Sequence, residues 1–226
     1  LDLRAGNISL VEQALLWPAF YCFTRQKLVP FCVLVLLASA FKQVPILFLG
    51  LLLVEPDRKR VALLFASLAA YAAYALVSRA AEPELFLAFL ENAAKTNTES
   101  KILNPSSFAF SNDLVGLLFG GGGEPVNPAL GKGLYASIVL VVLGLTGWAM
   151  RRLRRVEAPQ RYTLYVFLAC FAYALCVPRF KDYSFVLLVA PAAHIVYTYA
   201  SQVSARPLVL VLLCLPLINI PMPGLQ

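Results

Sequence analysis

In this chain of 226 residues 60% are hydrophobic and only 14% charged, whereas in a soluble domain about a quarter of residues are charged. Mean hydropathy is +0.75, and apolar runs recur near the length of about 20 residues that a helix needs to cross about 30 Å of hydrocarbon. These values exclude an ordinary soluble globular domain, and the net charge of +7 reads as topology markers beside membrane helices, not as a nucleic-acid patch.

The chain begins LDLRAGN, with no charged region ahead of an apolar one, so no signal peptide is read there. A start this close to a membrane segment is expected to follow a missing N-terminal portion. Residues 1–226 are then one transmembrane domain, the C-terminal part of a longer protein. A first helix is expected at about 7–24, with Gly6-Asn7 at its entry and Glu12 and Gln13 inside it. Polar groups in a membrane helix face the bundle interior, and helix packing or ligand binding would each account for these.

Two apolar runs follow, Leu28 to Phe41 and Val44 to Val54, separated by Lys42 in the stretch FKQVP. A lone cation at membrane depth costs about 2.5–3.5 kcal/mol, so it faces a polar cavity or an anionic ligand, unless it snorkels to an interface. Arg25 and Lys27 precede this segment and Arg58, Lys59 and Arg60 follow it. If both clusters lie on one side, helices at 28–41 and 43–54 form a hairpin whose Lys42–Pro45 turn points to the other side. One continuous 27-residue helix would instead separate the clusters and bury Lys42 at mid-depth. Pro45 breaks a helix there, which favours the hairpin.

A helix at 61–79 leads into a more polar loop, 80–131. LFLAFLENAAK within it has the pattern of an amphipathic interfacial helix, and FSNDLVGLLF of a second short one that Asn112 is placed to cap, with a poor capping-box match. Asn104-Pro105-Ser106-Ser107, then Ser111, Asn112 and Asp113, offer amides, hydroxyls and a carboxylate that suit a sugar, although they are also ordinary turn residues. Gly120 to Gly123 read as a flexible loop, not a phosphate loop.

Helices at 133–151, 162–178, 183–201 and 207–220 complete the chain. The turn PRFKDY places Arg179 and Lys181 together, where two cations can hold an anionic group, with Asp182 and Tyr183 able to bond hydroxyls. Asp182 could equally cap the next helix. His194, the only histidine, reads as an interior residue, and one histidine builds neither a Ser-His-Asp set nor a metal centre. The five cysteines lie inside apolar runs without CxxC spacing and read as small buried hydrophobes.

Lys and Arg set the orientation. Arg25, Lys27, Arg58, Lys59, Arg60, Arg151, Arg152, Arg154, Arg155, Arg161 and Arg206 collect on one face, cytoplasmic by the positive-inside rule. The loop 80–131 and the PRFKDY turn then lie outside. The expected fold is all-α, a polytopic transmembrane helix bundle with a short broken-helix hairpin and an outer loop carrying short interfacial helices. Its expected place is the plasma membrane, multi-pass, the inner membrane in a bacterium.

AGN opening a membrane helix, FKQVP between apolar runs, NPSS in the outer loop and KDYSFVLLVAPA near the end resemble the family 87 glycosyltransferases. These are polyprenyl-phosphate-mannose-dependent mannosyltransferases and relatives within the GT-C superfamily. The resemblance implies a GT-C-like multi-pass enzyme that takes a sugar from a lipid-phosphate donor on the non-cytoplasmic side, without further cofactor or metal. The acceptor would be a lipid-linked or cell-envelope glycan. Lys42 matches the family's lysine, Asn104 and Ser106 its N-x-S segment, and Asp182 and Tyr183 its D-Y segment. GT-C enzymes typically carry their catalytic Asp in the first outer loop, which is expected upstream of Leu1.

Lys42, Arg179 and Lys181 are therefore the expected donor-phosphate contacts, and Gln43, Asn104, Ser106, Asp182, Tyr183 and Asn7 the expected sugar or acceptor contacts. Asp182 and Asp113 are the weaker carboxylate candidates for the base. Partners are the lipid-phosphate sugar, the glycan acceptor and membrane lipids, with no nucleic acid. A transporter or flippase of lipid-linked sugars would use the same cations but make no bond, and it should show paired broken helices. One broken pair is visible. A non-catalytic envelope-assembly subunit is the third reading.

Overall fold

The computed structural model describes residues 9–96, 106–119, 128–158, 160–179 and 182–199, and every regular element among them is helical. The α-helices are α1 (Ser9–Thr24), α2 (Leu28–Phe41), α3 (Arg58–Ala81), α4 (Pro83–Thr96), α5 (Ser107–Phe119), α6 (Pro128–Leu153), α7 (Gln160–Cys176) and α8 (Val186–Tyr199). Two 3-10 helices, Val44–Leu53 and Asp182–Phe185, accompany them. The chain divides into two units, Leu1–Phe185 and Val186–Gln226, of which the second contributes α8 with His194 and an internal Pro191. The expected helix at 207–220 lies outside the described residues.

The turn that reverses the chain after α1 is a Schellman motif. The Lys27 amide donates to the Cys22 carbonyl at 2.8 Å and the Gln26 amide to the Phe23 carbonyl at 2.9 Å. Such a motif needs a left-handed residue, usually glycine, and here it is Gln26 at φ 58°. Its side chain offsets the strain: Nε2 donates to the Phe23 carbonyl at 3.1 Å, and Oε1 accepts from Arg60 Nη2 at 2.6 Å.

That last bond decides the topology of residues 28–54. It joins the basic cluster before α2 to the one opening α3, so both lie at one end of the structure, here termed the basic end. The continuous 27-residue helix is thereby excluded, and the hairpin is the observed form. Its second arm departs from expectation: residues 44–53 wind as a 3-10 helix, not an α-helix. Length explains why. The 14 residues of α2 rise about 21 Å at about 1.5 Å each, and the 10 residues of the return arm match that only at the 3-10 rise of about 2 Å. The return arm is held along α1 and α7, with Phe48 against Phe20 (centroids 4.8 Å apart) and stacked on Tyr173 (4.8 Å, 18° between planes).

A polar knot closes the basic end. Asp57 caps α3 by accepting from the Arg60 amide at 2.8 Å. Buried Arg60 also meets Tyr162 Oη at 3.5 Å and Glu55 Oε2 at 3.9 Å. Glu55 in turn accepts from Tyr162 Oη at 2.8 Å and Tyr165 Oη at 3.1 Å, and pairs with Arg161 Nε at 2.8 Å. Arg154 Nη2 donates to the Val54 carbonyl at 2.7 Å. Five of these residues, with Pro56, line an open cleft of about 590 Å³. The knot gathers the C-terminal end of α6, the N-terminal ends of α3 and α7, and the turn after α1.

Two helices are long and apolar enough to cross a membrane, Arg58–Ala81 and Pro128–Leu153. Their apolar windows are only 6% and 0% buried, so side chains such as Phe65, Leu76, Leu140 and Leu145 stand uncovered by protein. Aliphatic surface on this scale would be prohibitive in water and is ordinary in lipid. Both helices place basic residues at the knot end.

The opposite, far end holds α5 and the start of α6. α5 begins where Ser106 caps it, its Oγ accepting from the Ala109 amide at 3.2 Å. Asn112 is therefore inside the helix and not its cap, and its Nδ2 donates to the Phe108 carbonyl at 3.0 Å. Gly131 of α6 packs so closely on it that a Cβ there would lie 2.1 Å from Asn112 Oδ1. α4 forms over the LFLAFLENAAK stretch as expected.

Replacing Arg60 with Met should lower the thermal unfolding midpoint in detergent. The expected loss is about 3 kcal/mol, the low end for a broken buried ion pair because the cleft is open. E55Q should cost less, since its amide oxygen still accepts from one of the two tyrosines, which bond to different carboxylate oxygens, and its amide nitrogen can donate to the other hydroxyl. Gly131→Ala should destabilise the wild type but cost markedly less in an N112A background, a coupling read from the same melting curves.

Candidate functional site

Lys42 is not the lone cation that its sequence setting indicates. Its Nζ donates to Glu12 Oε2 at 2.9 Å, with the Lys42 side chain 36% exposed and Glu12 2% exposed. Glu12 Oε1 also accepts from Tyr173 Oη at 3.5 Å. The pair closes the far end of the α1–α2 hairpin, as Gln26 and Arg60 close its basic end. A buried carboxylate within hydrocarbon requires such a partner, because its desolvation is otherwise uncompensated. The packing account of Glu12 is thus borne out, with the hairpin tip as the group it packs against.

Glu12 holds one of the three donors of the Lys42 ammonium and fixes the side chain, while the exposed part of Lys42 faces away from the core. Gln43 beside it is exposed and opens the return arm, the Ile46 amide donating to its carbonyl at 3.3 Å. Pro45 fills the first turn of that arm and is buried, as suits a residue without an amide donor.

Tyr173 links this tip to the end of α7. One turn on, the Val177 amide donates to the Tyr173 carbonyl at 3.0 Å, and the chain leaves the helix at Pro178. There Ser106 Oγ, buried and already capping α5, donates to the Pro178 carbonyl at 2.7 Å. One hydroxyl therefore joins the NPSS segment to the PRFKDY corner, two stretches far apart in the chain. Tyr135 of α6 donates to the Cys176 carbonyl and stacks edge-on with Phe108 of α5 (5.3 Å). Lys42, Ser106 and half-buried Arg179 consequently occupy the same end of the bundle.

Of the other expected site residues, Asp113 lies exposed on α5. Asn7, Asn104 and Lys181 lie outside the described residues, as do the side chains of Asp182 and Tyr183, whose backbone opens the 3-10 turn Asp182–Phe185. Among the described residues no set of three His, Cys, Asp or Glu side chains comes together that could hold a metal ion. Sequence reasoning did not foresee the roles of Tyr173, Glu55, Tyr162 and Tyr165. Glu12 was the readable signal for the first, a carboxylate one helix away from an isolated lysine.

No curated protein and no solved structure matches the chain. A family model described as glycosyltransferase family 87 matches residues 1–178, from before α1 through α7 to the carbonyl that Ser106 holds. The match includes Glu12, Lys42, Ser106 and Tyr173, and it stops just short of Arg179. An enzyme of this kind transfers a sugar from a donor to an acceptor, and its uncovered apolar helices associate it with a membrane. With more than three quarters of its length in the match, the chain belongs to glycosyltransferase family 87.

Proposed function

We propose that the chain is the donor-binding portion of a multi-pass hexosyltransferase. It takes a sugar, mannose by preference, from a polyprenyl-phosphate donor on the non-cytoplasmic side of a plasma membrane. The acceptor is a lipid-linked or cell-envelope glycan. The observation that carries this reading is the part-exposed Lys42 side chain, anchored by Glu12 at the same end of the bundle as the Ser106–Pro178 junction and Arg179.

Hairpin arms of about 20 Å starting from the basic end are shorter than the hydrocarbon thickness of about 30 Å. Lys42 then lies at the floor of a recess that opens on the far side. Such backbone is tolerated at depth where it lines a cavity. A lipid carrier presents its phosphate to such a recess while its chain stays in the membrane.

In the reaction an acceptor hydroxyl oxygen attacks the anomeric carbon as the bond from that carbon to the phosphate oxygen breaks. Configuration inverts. The electron pair of the broken bond remains on the lipid phosphate, and the charge that builds there is met by Lys42, Arg179 and Lys181. Electrostatic catalysis acts most strongly on charge that develops in the transition state. A carboxylate takes the hydroxyl proton; Asp113 and Asp182 are the candidates within this chain. Gln43, Asn104, Ser106, Tyr183 and Asn7 are assigned to sugar and acceptor hydroxyls. Glu12 is a positioning residue: it aims Lys42 and does not touch substrate.

Membranes bearing the full protein, incubated with radiolabelled polyprenyl-phosphate mannose, test this by formation of a labelled glycan. Label that crosses the bilayer without entering a glycan would mark a transporter instead. K42M should lower turnover at saturating acceptor by at least about 100-fold, as loss of one oxyanion-stabilising donor does. K42M also strands the buried Glu12 carboxylate, so K42M/E12L serves as its control. The double variant should recover thermal stability while transfer stays lost. Transfer recovered together with stability would reduce Lys42 to a structural partner.

A further inference from the structure

Between the return arm of the hairpin, α6 and α7 runs a groove of about 740 Å³. Its walls include Gly50 and Leu51 of the return arm, Leu143 and Gly147 of α6, and Ala172 and Tyr173 of α7. The surface is mostly apolar, and its two charged residues, Arg151 and Arg154, stand in its lining at the basic end. The far end offers Cys176 and Tyr173 and no cation. An apolar channel with charge at one end alone has the polarity of a single lipid, chain inside and headgroup at the cationic mouth.

Three further features fit that shape. Arg154 is fixed at the mouth by its bond to the Val54 carbonyl, 2.7 Å, so its charge is presented from a held position. At the same level Arg152 lies over the ring of Trp148, 5.0 Å from its centroid, and Trp148 is itself 58% exposed. Exposed tryptophan beside arginine marks the headgroup region of a membrane. Finally, Gly50 and Gly147 face the groove across open space, since a Cβ built on either meets no atom within 4 Å. The groove is therefore deepened by two missing side chains, and protein does not fill it.

We propose that this groove is a binding site for an anionic phospholipid of the leaflet that borders the basic end. One acyl chain lies between the return arm and α6, and the phosphate is held by Arg151 and Arg154. The site is separate from the sugar-donor recess, which is at the far end. Its occupant fills the space that the 3-10 arm leaves against α6, so the lipid supports the arm that carries Lys42. Basic side chains near a headgroup each contribute about a fivefold preference for anionic lipid, and two of them give the site a clear choice of leaflet lipid.

The test uses the full protein in nanodiscs or detergent, with phosphatidylglycerol and phosphatidylcholine of identical chains, read by native mass spectrometry. Wild type should retain one phosphatidylglycerol in preference to phosphatidylcholine, by at least about fivefold. R151Q/R154Q should bring that ratio near one. G147F projects into open space and should abolish retention of both lipids while leaving the helical circular dichroism intact. Phosphatidylglycerol retained by a folded G147F would overturn the proposal, as would equal retention of both lipids by wild type. Preferential retention of a polyprenyl phosphate over phosphatidylglycerol, lost in G147F, would also overturn it by assigning the groove to the donor chain.

Discussion

The structure depends on a short hairpin pinned at both ends by polar contacts that hydrocarbon makes obligatory. Lys42 meets Glu12 at the tip, and Gln26 meets Arg60 at the base. Between those pins α2 runs out over 14 residues and the return arm runs back over 10. The mismatch is absorbed in the backbone: the shorter arm stretches into a 3-10 helix, a form rarely sustained beyond 3–4 residues. It persists because letting the tip pin go would leave the buried Glu12 carboxylate unpaired, a penalty larger than the poorer hydrogen bonds of the tighter helix. Phe48, wedged between Phe20 and Tyr173, fixes the arm laterally.

From that constraint follows a difference between the two ends of the bundle. At the basic end the charges are paired with one another, Glu55 meeting two tyrosines and two arginines. The far end is where polar groups are held and still reachable. Lys42 is held by Glu12 with its side chain part-exposed, Ser106 clamps α5 to the end of α7, and Arg179 follows directly. One carboxylate buried behind a lysine holds that cation in a fixed position. The aliphatic groove runs between the return arm, α6 and α7.

Much of this was legible in residues. Arg25 and Lys27 before the apolar pair and Arg58 to Arg60 after it, with Pro45 between, pointed to a hairpin, and the structure has one. The short helices in the loop 80–131 also follow from their amphipathic spacing, and NPSS and PRFKDY stood out as polar punctuation. Asn112 was misplaced, because Ser106 and Asn112 are equally good caps on paper and only the actual start of α5 chooses between them. Lys42 reads as isolated along the chain because its partner, Glu12, lies 30 positions earlier, on another helix.

What the amino-acid order determined unaided is the class of molecule, the sidedness of its charges and the stretches where apolar runs must break, since hydrophobicity, helix length and proline act locally. Family membership is likewise read from the sequence, over residues 1–178. The tertiary structure alone decided which charges are paired, that residues 44–53 wind as a 3-10 helix, and that Ser106 reaches the Pro178 carbonyl. Those outcomes depend on distances between helices, and a distance across a bundle is set by how side chains pack, which no single segment records.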